Sequence, residues 1–364
     1  VGESLFGDDL PVPDITRRGR STILAAGDLD WAAINPDIFG SMIQAVVSEE
    51  NRGELGMHYT SVPNIMKVIG PLFLDKLHEE FDKAQGSATR LRKLLYRIHN
   101  LHILDPACGS GNFLITTYRE LRMLEMKILK KFNELPISGI RLNHFHGIEI
   151  DGFAHETAKL SMWFAELLIN KKFEEEMGQG IPPLPLVTAL DVVRANAASL
   201  DWNSFFSGAE EEVYVIGNPP FLGSRNQLEA HKKDLDDVCG EINGYRSLDY
   251  VAIWMVKGVR FLNECNGAKG VAFVATNSIC QGRQIPVFWP WFFRAGAVLN
   301  FAYQSFRWTN NARDRAVVSV VILGFSREDY GSAQLFTQNS TSVYLKRFQC
   351  NKLVTHNIKH RWKH

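Results

Sequence analysis

Between residues 101 and 113 the chain reads LHILDPACGSGNF, an apolar run that ends on Asp105, breaks into small residues and then enters a long helical pattern. That order specifies a strand, a tight turn and a helix, because Gly109 and Gly111 let the backbone bend sharply and approach a ligand closely. The unit recurs. HFHGIEID leads into FAHETAKLSMWFAELLI; PLVTALDVV and VYVIGNPPF read as third and fourth strands; GVAFVATNSI, after the helix LDYVAIWMVKGVRFL, reads as a fifth. Strands alternating with helices predict a parallel sheet covered on both faces. The end of the pattern differs. VLNFAYQSF and AVVSVVILGF are separated only by WTNNARDR, too short for a crossover helix, so these two strands must run antiparallel. The expectation is an α/β, Rossmann-like sheet of seven strands with an antiparallel last strand.

Four segments are expected. Residues 1–30, rich in Gly, Asp, Pro and Arg, read as a linker or arm. Residues 31–100 form a helical segment: apolar residues recur at helical spacing in WAAINPDIFGSMIQAVVSEE, and a Ser or Thr cap before Pro63 starts a further helix. Residues 101–326 carry the sheet. Residues 327–364 have no clear periodicity and read as an irregular tail. Forty Lys and Arg balance forty Asp and Glu, so any binding of nucleic acid has to come from a local basic face. Five scattered cysteines at 108, 239, 265, 280 and 350 exclude a disulfide framework or a spaced zinc site, and fit a reducing cytoplasm. The apolar runs are too short and interrupted for a membrane span.

The ligand follows from departures in the glycine loop. A pyrophosphate prefers G-x-G-x-x-G, but position 114 is Leu, and Asp105 puts a negative charge where phosphate would be repelled. A cationic ligand suits it, and S-adenosylmethionine carries both an ammonium and a sulfonium. Glu149, ending the second strand, can accept both hydroxyls of a ribose. Its neighbour Asp151 competes for that role or caps the next helix. Asp191, read as the end of the third strand, can accept from the cofactor's adenine amino group or cap a helix. After the fourth strand come Asn218, Pro219, Pro220 and Phe221. The two prolines remove two donors, leaving the Asn218 side-chain oxygen and the Pro219 carbonyl as acceptors for an amino group. Phe221 offers a face on which an extruded base can stack.

On these residues the chain resembles the γ-type adenine-N6 DNA methyltransferases. With WAAINPDIFGSMIQ ahead of GMHYT, it is similar over roughly residues 30–326 to the methyltransferase region of MmeI-like (type IIL) restriction–modification proteins. The resemblance implies the class I S-adenosylmethionine-dependent methyltransferase fold and its roles. Tyr59 and Thr60 would line the methionine end of the cofactor. Asp105, Pro106, Ala107, Gly109, Gly111, Asn112 and Phe113 would form the cofactor loop. Glu149 with Ile150 would hold the ribose side, Asp191 the adenine, and Asn218 to Phe221 the catalytic loop, with Asn218 also touching the cofactor. It further implies double-stranded DNA as partner, with the target adenine flipped out, and recognition and nuclease domains lying outside this chain. Residues 327–364 would then begin a missing or truncated recognition region.

Three other readings stay open. Cytosine-N4 methylation uses the same amino-group logic. A protein-glutamine methyltransferase also uses an Asn-Pro-Pro-aromatic loop. A cofactor-binding module without activity, serving assembly in a larger machine, is the non-enzyme reading. Cytosine-C5 chemistry is excluded, because no cysteine directly follows a proline. The basic residues Arg225, His231, Lys232 and Lys233 after the catalytic loop, and Arg313 and Arg315 in the hairpin loop, are readable as phosphate contacts or as solvated surface. The cluster FWPWFF, residues 288–293, reads as core or interface.

Overall fold

The computed structural model describes residues 14–29, 60–132, 136–178, 190–206, 211–308, 318–328, 332–337 and 342–346. A first helix, α1 (Arg17–Gly27), is capped by the Thr16 hydroxyl and buries none of its residues. It falls in the stretch expected to be a linker. The helix expected over Trp31–Glu50 lies outside the described residues. α2 (Val62–Ile69) starts at Ser61 with Pro63 in its first turn and runs through a π-helical turn, Gly70–Leu74, into α3 (Asp75–Ala84). After a break at Gln85 and Gly86, the Ser87 side chain caps α4 (Ala88–His99).

The alternation then proceeds as β1 (Leu101–Asp105), α5 (Asn112–Leu129), β2 (Phe145–Glu149), α6 (Gly152–Met177), β3 (Asp191–Arg194) and β4 (Glu212–Gly217). It continues with α7 (Glu229–Cys239), α8 (Ala252–Glu264), β5 (Ala268–Thr276), α9 (Gln284–Arg294), β6 (Val298–Trp308) and β7 (Val318–Ser326). Two short strands, β8 (Ser332–Phe336) and β9 (Ser342–Lys346), follow. The sheet order is β3-β2-β1-β4-β5-β7-β6-β8-β9. β1 to β5 pair in parallel, and β7 runs antiparallel between β5 and β6. The antiparallel closing strand is therefore present, but the sheet has nine strands and not seven. β8 lies parallel to β6 and β9 antiparallel to β8, so part of the tail read as irregular extends the sheet edge.

Side-chain alternation sorts the sheet into two cores. Ile103, Tyr214, Ile216, Ala272 and Val274 face α2 to α6. Leu104, Val213, Val215, Val271 and Phe273 face α7 to α9. In the aromatic cluster, Phe288, Trp289 and Phe292 are buried in this second core. The parallel strands all end on one edge, which the β1–β4 register (Leu104 opposite Val215) brings together at Asp105 and Gly217. Among the described residues, no helix is long and apolar enough to cross a membrane.

Candidate functional site

Asp105 closes β1 and is 1% exposed. Its Oδ1 accepts the Ala107 amide at 3.1 Å, while Oδ2 is buried with no hydrogen-bond partner among the described residues. Burial pushes the carboxyl up to about 8, the Ala107 hydrogen bond opposes the rise, and the Glu149 charge adds to it. A buried, half-satisfied carboxyl at the end of a parallel strand is suited to a cationic ligand, whose charge would hold it ionised.

The turn after it is built for close approach. Gly109 has φ 55° and Gly111 φ 85°, the left-handed region that favours glycine. A Cβ on Gly109 would point into open space, so this part of the loop faces a hollow rather than packed protein. Gly111 caps α5, and its amide donates to the Cys108 carbonyl at 2.8 Å. Asn112 opens α5; its Nδ2 donates to Ser110, and its Oδ1 is a second buried acceptor without a described partner. Phe113 packs into the core, and the Pro106 carbonyl accepts the Trp254 indole N–H at 3.2 Å, which fixes the loop from α8. Cys108 is buried, and burial first, then Asp105 and Glu149, push its thiol well above its ordinary value; it is an inert filler.

Glu149 ends β2 on the same edge. Its Oε2 accepts the Gly109 amide at 2.8 Å and its Oε1 the Asp151 amide at 2.9 Å. Burial raises its carboxyl above the usual range against these backbone bonds. With the Ile150 amide as a third backbone donor, about one of the carboxylate's four acceptor positions remains for a hydroxyl. Asp151 is the helix cap, its Oδ1 accepting the Ala154 amide at 2.8 Å. Ile150 stands 56% exposed beside them.

Asp191 is not at this edge. It begins β3 rather than ending it, stands opposite His146, and its Oδ2 lies 2.9 Å from His146 Nδ1. Glu149 stands opposite Arg194, three residues further along. At a rise of about 3.3 Å per residue Asp191 is therefore roughly 10 Å from the ligand-bearing edge, and the adenine role assigned to it is withdrawn. The polar residue just beyond the carboxyl end of β3 is Asn196, which follows Ala195, whose amide donates to the Glu149 carbonyl. Sequence reasoning missed it because the apolar run PLVTALDVV set the strand too early.

β4 delivers Asn218 at its end. Asn218 Nδ2 donates to the Thr60 hydroxyl at 3.3 Å, and Oδ1 is buried with no described partner. Thr60, itself buried, precedes α2 and so ties the start of that helix to the Asn218 segment. The rest of GMHYT, including Tyr59, and the loop carrying Arg313 and Arg315 lie outside the described residues. Phe221 is half-buried against both cores. Asp249 anchors the exit of the NPPF loop: Oδ1 accepts the Leu222 and Val251 amides, and Oδ2 accepts the Thr276 and Ser278 hydroxyls. This is a buried group sequence reasoning did not select. An acid in LDYVAIW, just ahead of α8, carried no signal beyond helix capping. The NPPF loop and the glycine loop are thus neighbours: a Cβ on Gly217 would fall 2.6 Å from Asp105 Oδ1.

Comparison with known proteins identifies the family. The family described as MmeI, DNA-methyltransferase domain, matches residues 81–337. A DNA methyltransferase A of Bacillus subtilis (strain 168) is 48% identical over 337 residues, covering 90% of this chain and 38% of that protein. A putative type II restriction enzyme and methyltransferase of Methanocaldococcus jannaschii is 28% identical over 206 residues, 48% of this chain and 17% of that protein. The solved structure of the type IIL restriction–modification enzyme MmeI in complex with DNA superposes with a TM-score of 0.86 at 35% identity, covering 94% of this chain and 47% of that one. The chain spans less than half the length of each of these relatives. With the family matched across most of its length and its glycine and NPPF loops set side by side, this chain belongs to the MmeI DNA-methyltransferase domain family.

Proposed function

We propose that the chain is the methyl-transferring part of an S-adenosylmethionine-dependent, adenine-N6-specific DNA methyltransferase of a restriction–modification system, acting in the cytoplasm on double-stranded DNA. The carrying observation is the buried Oδ1 of Asn218, which has no hydrogen-bond partner among the described residues and stands one residue from Gly217, where an added Cβ would meet Asp105. A buried acceptor left empty costs about 1–3 kcal/mol, so its presence is explained by a donor that arrives with the substrate. An exocyclic amino group is such a donor.

When bound, S-adenosylmethionine supplies an electrophilic methyl group on a sulfonium. Asp105 would face its cationic end, Gly109 and Gly111 would let the backbone come close, and Glu149 would accept a ribose hydroxyl. Asn218 Oδ1 accepts one N–H of a flipped-out base, and the Pro219 carbonyl accepts the other. Both acceptors draw density onto the amino nitrogen and hold its lone pair toward the methyl. Pro219 and Pro220 carry no N–H, so the segment offers no donor that would compete for that lone pair. Phe221 supplies apolar surface for the base. Asp105, Glu149 and the glycine loop would hold the cofactor as its methyl passes to the amino nitrogen, the carbon–sulfur electron pair leaving with the neutral thioether. Asn218 and Pro219 would hold that nitrogen as it gives up a proton to water. Alignment of the two reactants supplies much of the rate.

The test is nucleoside analysis of DNA from cells expressing the full-length gene. N6-methyladenine is the expected product, and Asn218→Ala should remove it, lowering transfer by about a hundredfold or more while cofactor binding persists. N4-methylcytosine would replace the substrate assignment. A methylated protein glutamine with unmodified DNA would overturn it, and biological effect untouched by Asn218→Ala would leave only a binding module.

A further inference from the structure

The turn that leaves β3 is tied to the far side of the Asn218 loop. Asn196 Nδ2 donates to both carboxylate oxygens of Asp234 on α7, at 3.2 and 3.3 Å. Its Oδ1 accepts the Ala198 amide at 2.9 Å, so the side chain is held from both ends. Asp234 Oδ2 also accepts the Tyr250 hydroxyl at 2.5 Å. Tyr250 in turn grips the catalytic loop: its backbone amide donates to the Leu222 carbonyl at 3.0 Å, one residue past Phe221. Its ring meets Trp254 edge-on with centroids 5.3 Å apart, and Trp254 holds the Pro106 carbonyl of the glycine loop. The turn is braced from below as well, because Lys257 Nζ donates to the Ala198 and Leu200 carbonyls.

Three parts of the pocket therefore converge on one carboxylate. They are the carboxyl end of β3, the glycine loop and the exit of the NPPF loop. None of these bonds is a strand-pairing bond of the sheet. We infer that Asp234 is a positioning residue that latches α7 to the turn after β3, so that cofactor binding at that end and the geometry of the Asn218 loop rise and fall together. The inference rests on the methyl-transfer reading above and adds a coupling element to it. Its physical content is that groups sharing one acceptor are energetically coupled, so loss of that acceptor is felt at each of them.

The experiment uses the full-length protein and measures S-adenosylmethionine affinity without DNA, and single-turnover methylation at saturating cofactor. Asp234→Ala is expected to weaken cofactor binding and slow transfer, each by about tenfold. The exchange Asn196→Asp with Asp234→Asn rebuilds the contact with donor and acceptor swapped, and the new amide oxygen on α7 remains available to the Tyr250 hydroxyl. It should restore both quantities to within a few-fold, which a merely structural role would not require. Tyr250→Phe removes a single hydroxyl and serves if Asp234→Ala does not fold; it should shift both quantities in the same direction. Wild-type affinity and rate in folded Asp234→Ala or Tyr250→Phe would overturn the latch alone, as would an exchange no better than Asp234→Ala. A wild-type protein that bound no cofactor would bring down the methyl-transfer reading together with the latch.

Discussion

Glu149 holds Gly109: across 40 positions of sequence its Oε2 accepts the glycine's backbone amide at 2.8 Å. The carboxylate at the end of β2 thereby fixes the turn after β1, and two walls of the pocket become one unit. Its other oxygen is occupied by the Asp151 amide at 2.9 Å. A ribose bound there would meet a carboxylate already oriented by backbone, with little further ordering to be done.

Glu149→Gln tests this directly. The amide preserves the shape, but it can accept at one atom only and turns an N–H₂ toward a backbone donor. Cofactor affinity is expected to fall about tenfold or more, about 1.4 kcal/mol, measured by calorimetry. An unchanged affinity would mean that Glu149 only braces the loop.

Asp105 sets a pH dependence. Burial raises its carboxyl from the ordinary 3.8 to about 8, against the Ala107 hydrogen bond and with help from Glu149. The folded protein therefore carries a proton here that the unfolded chain lacks, and this group's contribution to stability declines as pH rises from 3.8 toward about 8. A cation bound beside it favours the ionised form. Cofactor binding near pH 7 is then expected to release a proton, with affinity rising up to about pH 8 and levelling beyond. Calorimetry in two buffers of different ionisation enthalpy reads the proton. Asp105→Asn should remove the release, weaken binding, and raise the melting temperature at about pH 8. Proton-neutral binding by the wild-type protein would contradict the assignment.

What the sequence made legible was local. LHILDPACGSGNF carries its own strand, turn and helix start, and VYVIGNPPF its own strand end, so thirteen and nine residues suffice to place Asp105 and Asn218 at strand ends. The antiparallel β6–β7 pair was legible from loop length alone. Asp191 was misplaced because β3 is a four-residue strand at the sheet edge, too short for alternation to fix its frame. Pairing with β2, which sets His146 opposite Asp191, decides where β3 starts. β8 and β9 were missed because each is five residues long, and their order comes from pairing at the sheet edge. The bonds of Glu149 to Gly109 and of Asn196 to Asp234 join segments about 40 residues apart and leave no mark on local composition.

The helical segment is fastened to the sheet by a second relationship with a measurable acid limb. Arg97, at the end of α4, donates through Nε and Nη2 to both oxygens of Glu212 at the start of β4, at 2.8 and 2.5 Å, and through Nη1 to Glu80. Burial acts to raise the Glu212 carboxyl, but hydrogen bonds from Arg97 and from the Tyr214 hydroxyl outweigh it and hold the group below its usual value of 4.5. A depressed carboxyl contributes stability above its unfolded value, and that contribution is lost as pH falls through the folded value. Glu212→Gln is expected to cost about 1–3 kcal/mol near neutral pH and to flatten the loss of stability below about pH 4.5, read by denaturant titration at several pH values. A parallel acid limb in variant and wild type would show that Glu212 does not couple folding to protons.

Gly217 is the point where the two chemical loops meet. It is the last residue of β4, directly before Asn218, and a methyl group built on it would sit 2.6 Å from Asp105 Oδ1 and 3.3 Å from Asp105 Cγ, distances that packed carbons do not tolerate. Asp105 is 1% exposed and held by the Ala107 amide, so it has little room to retreat. Gly217→Ala must therefore push the NPPF loop away from the carboxyl, and is expected to lower stability by about 1–3 kcal/mol and to depress cofactor binding and methyl transfer together. The steric cause is separable from the backbone cost of placing alanine at φ 157° by a double-mutant cycle. Asp105→Ala removes the atoms the new methyl would strike, so Gly217→Ala in that background should cost distinctly less than it does alone, leaving only the backbone part. Losses of stability that simply add would mean that the two residues do not touch, and the close approach of the loops, on which both the Asn218 and the Asp105 roles depend, would have to be given up.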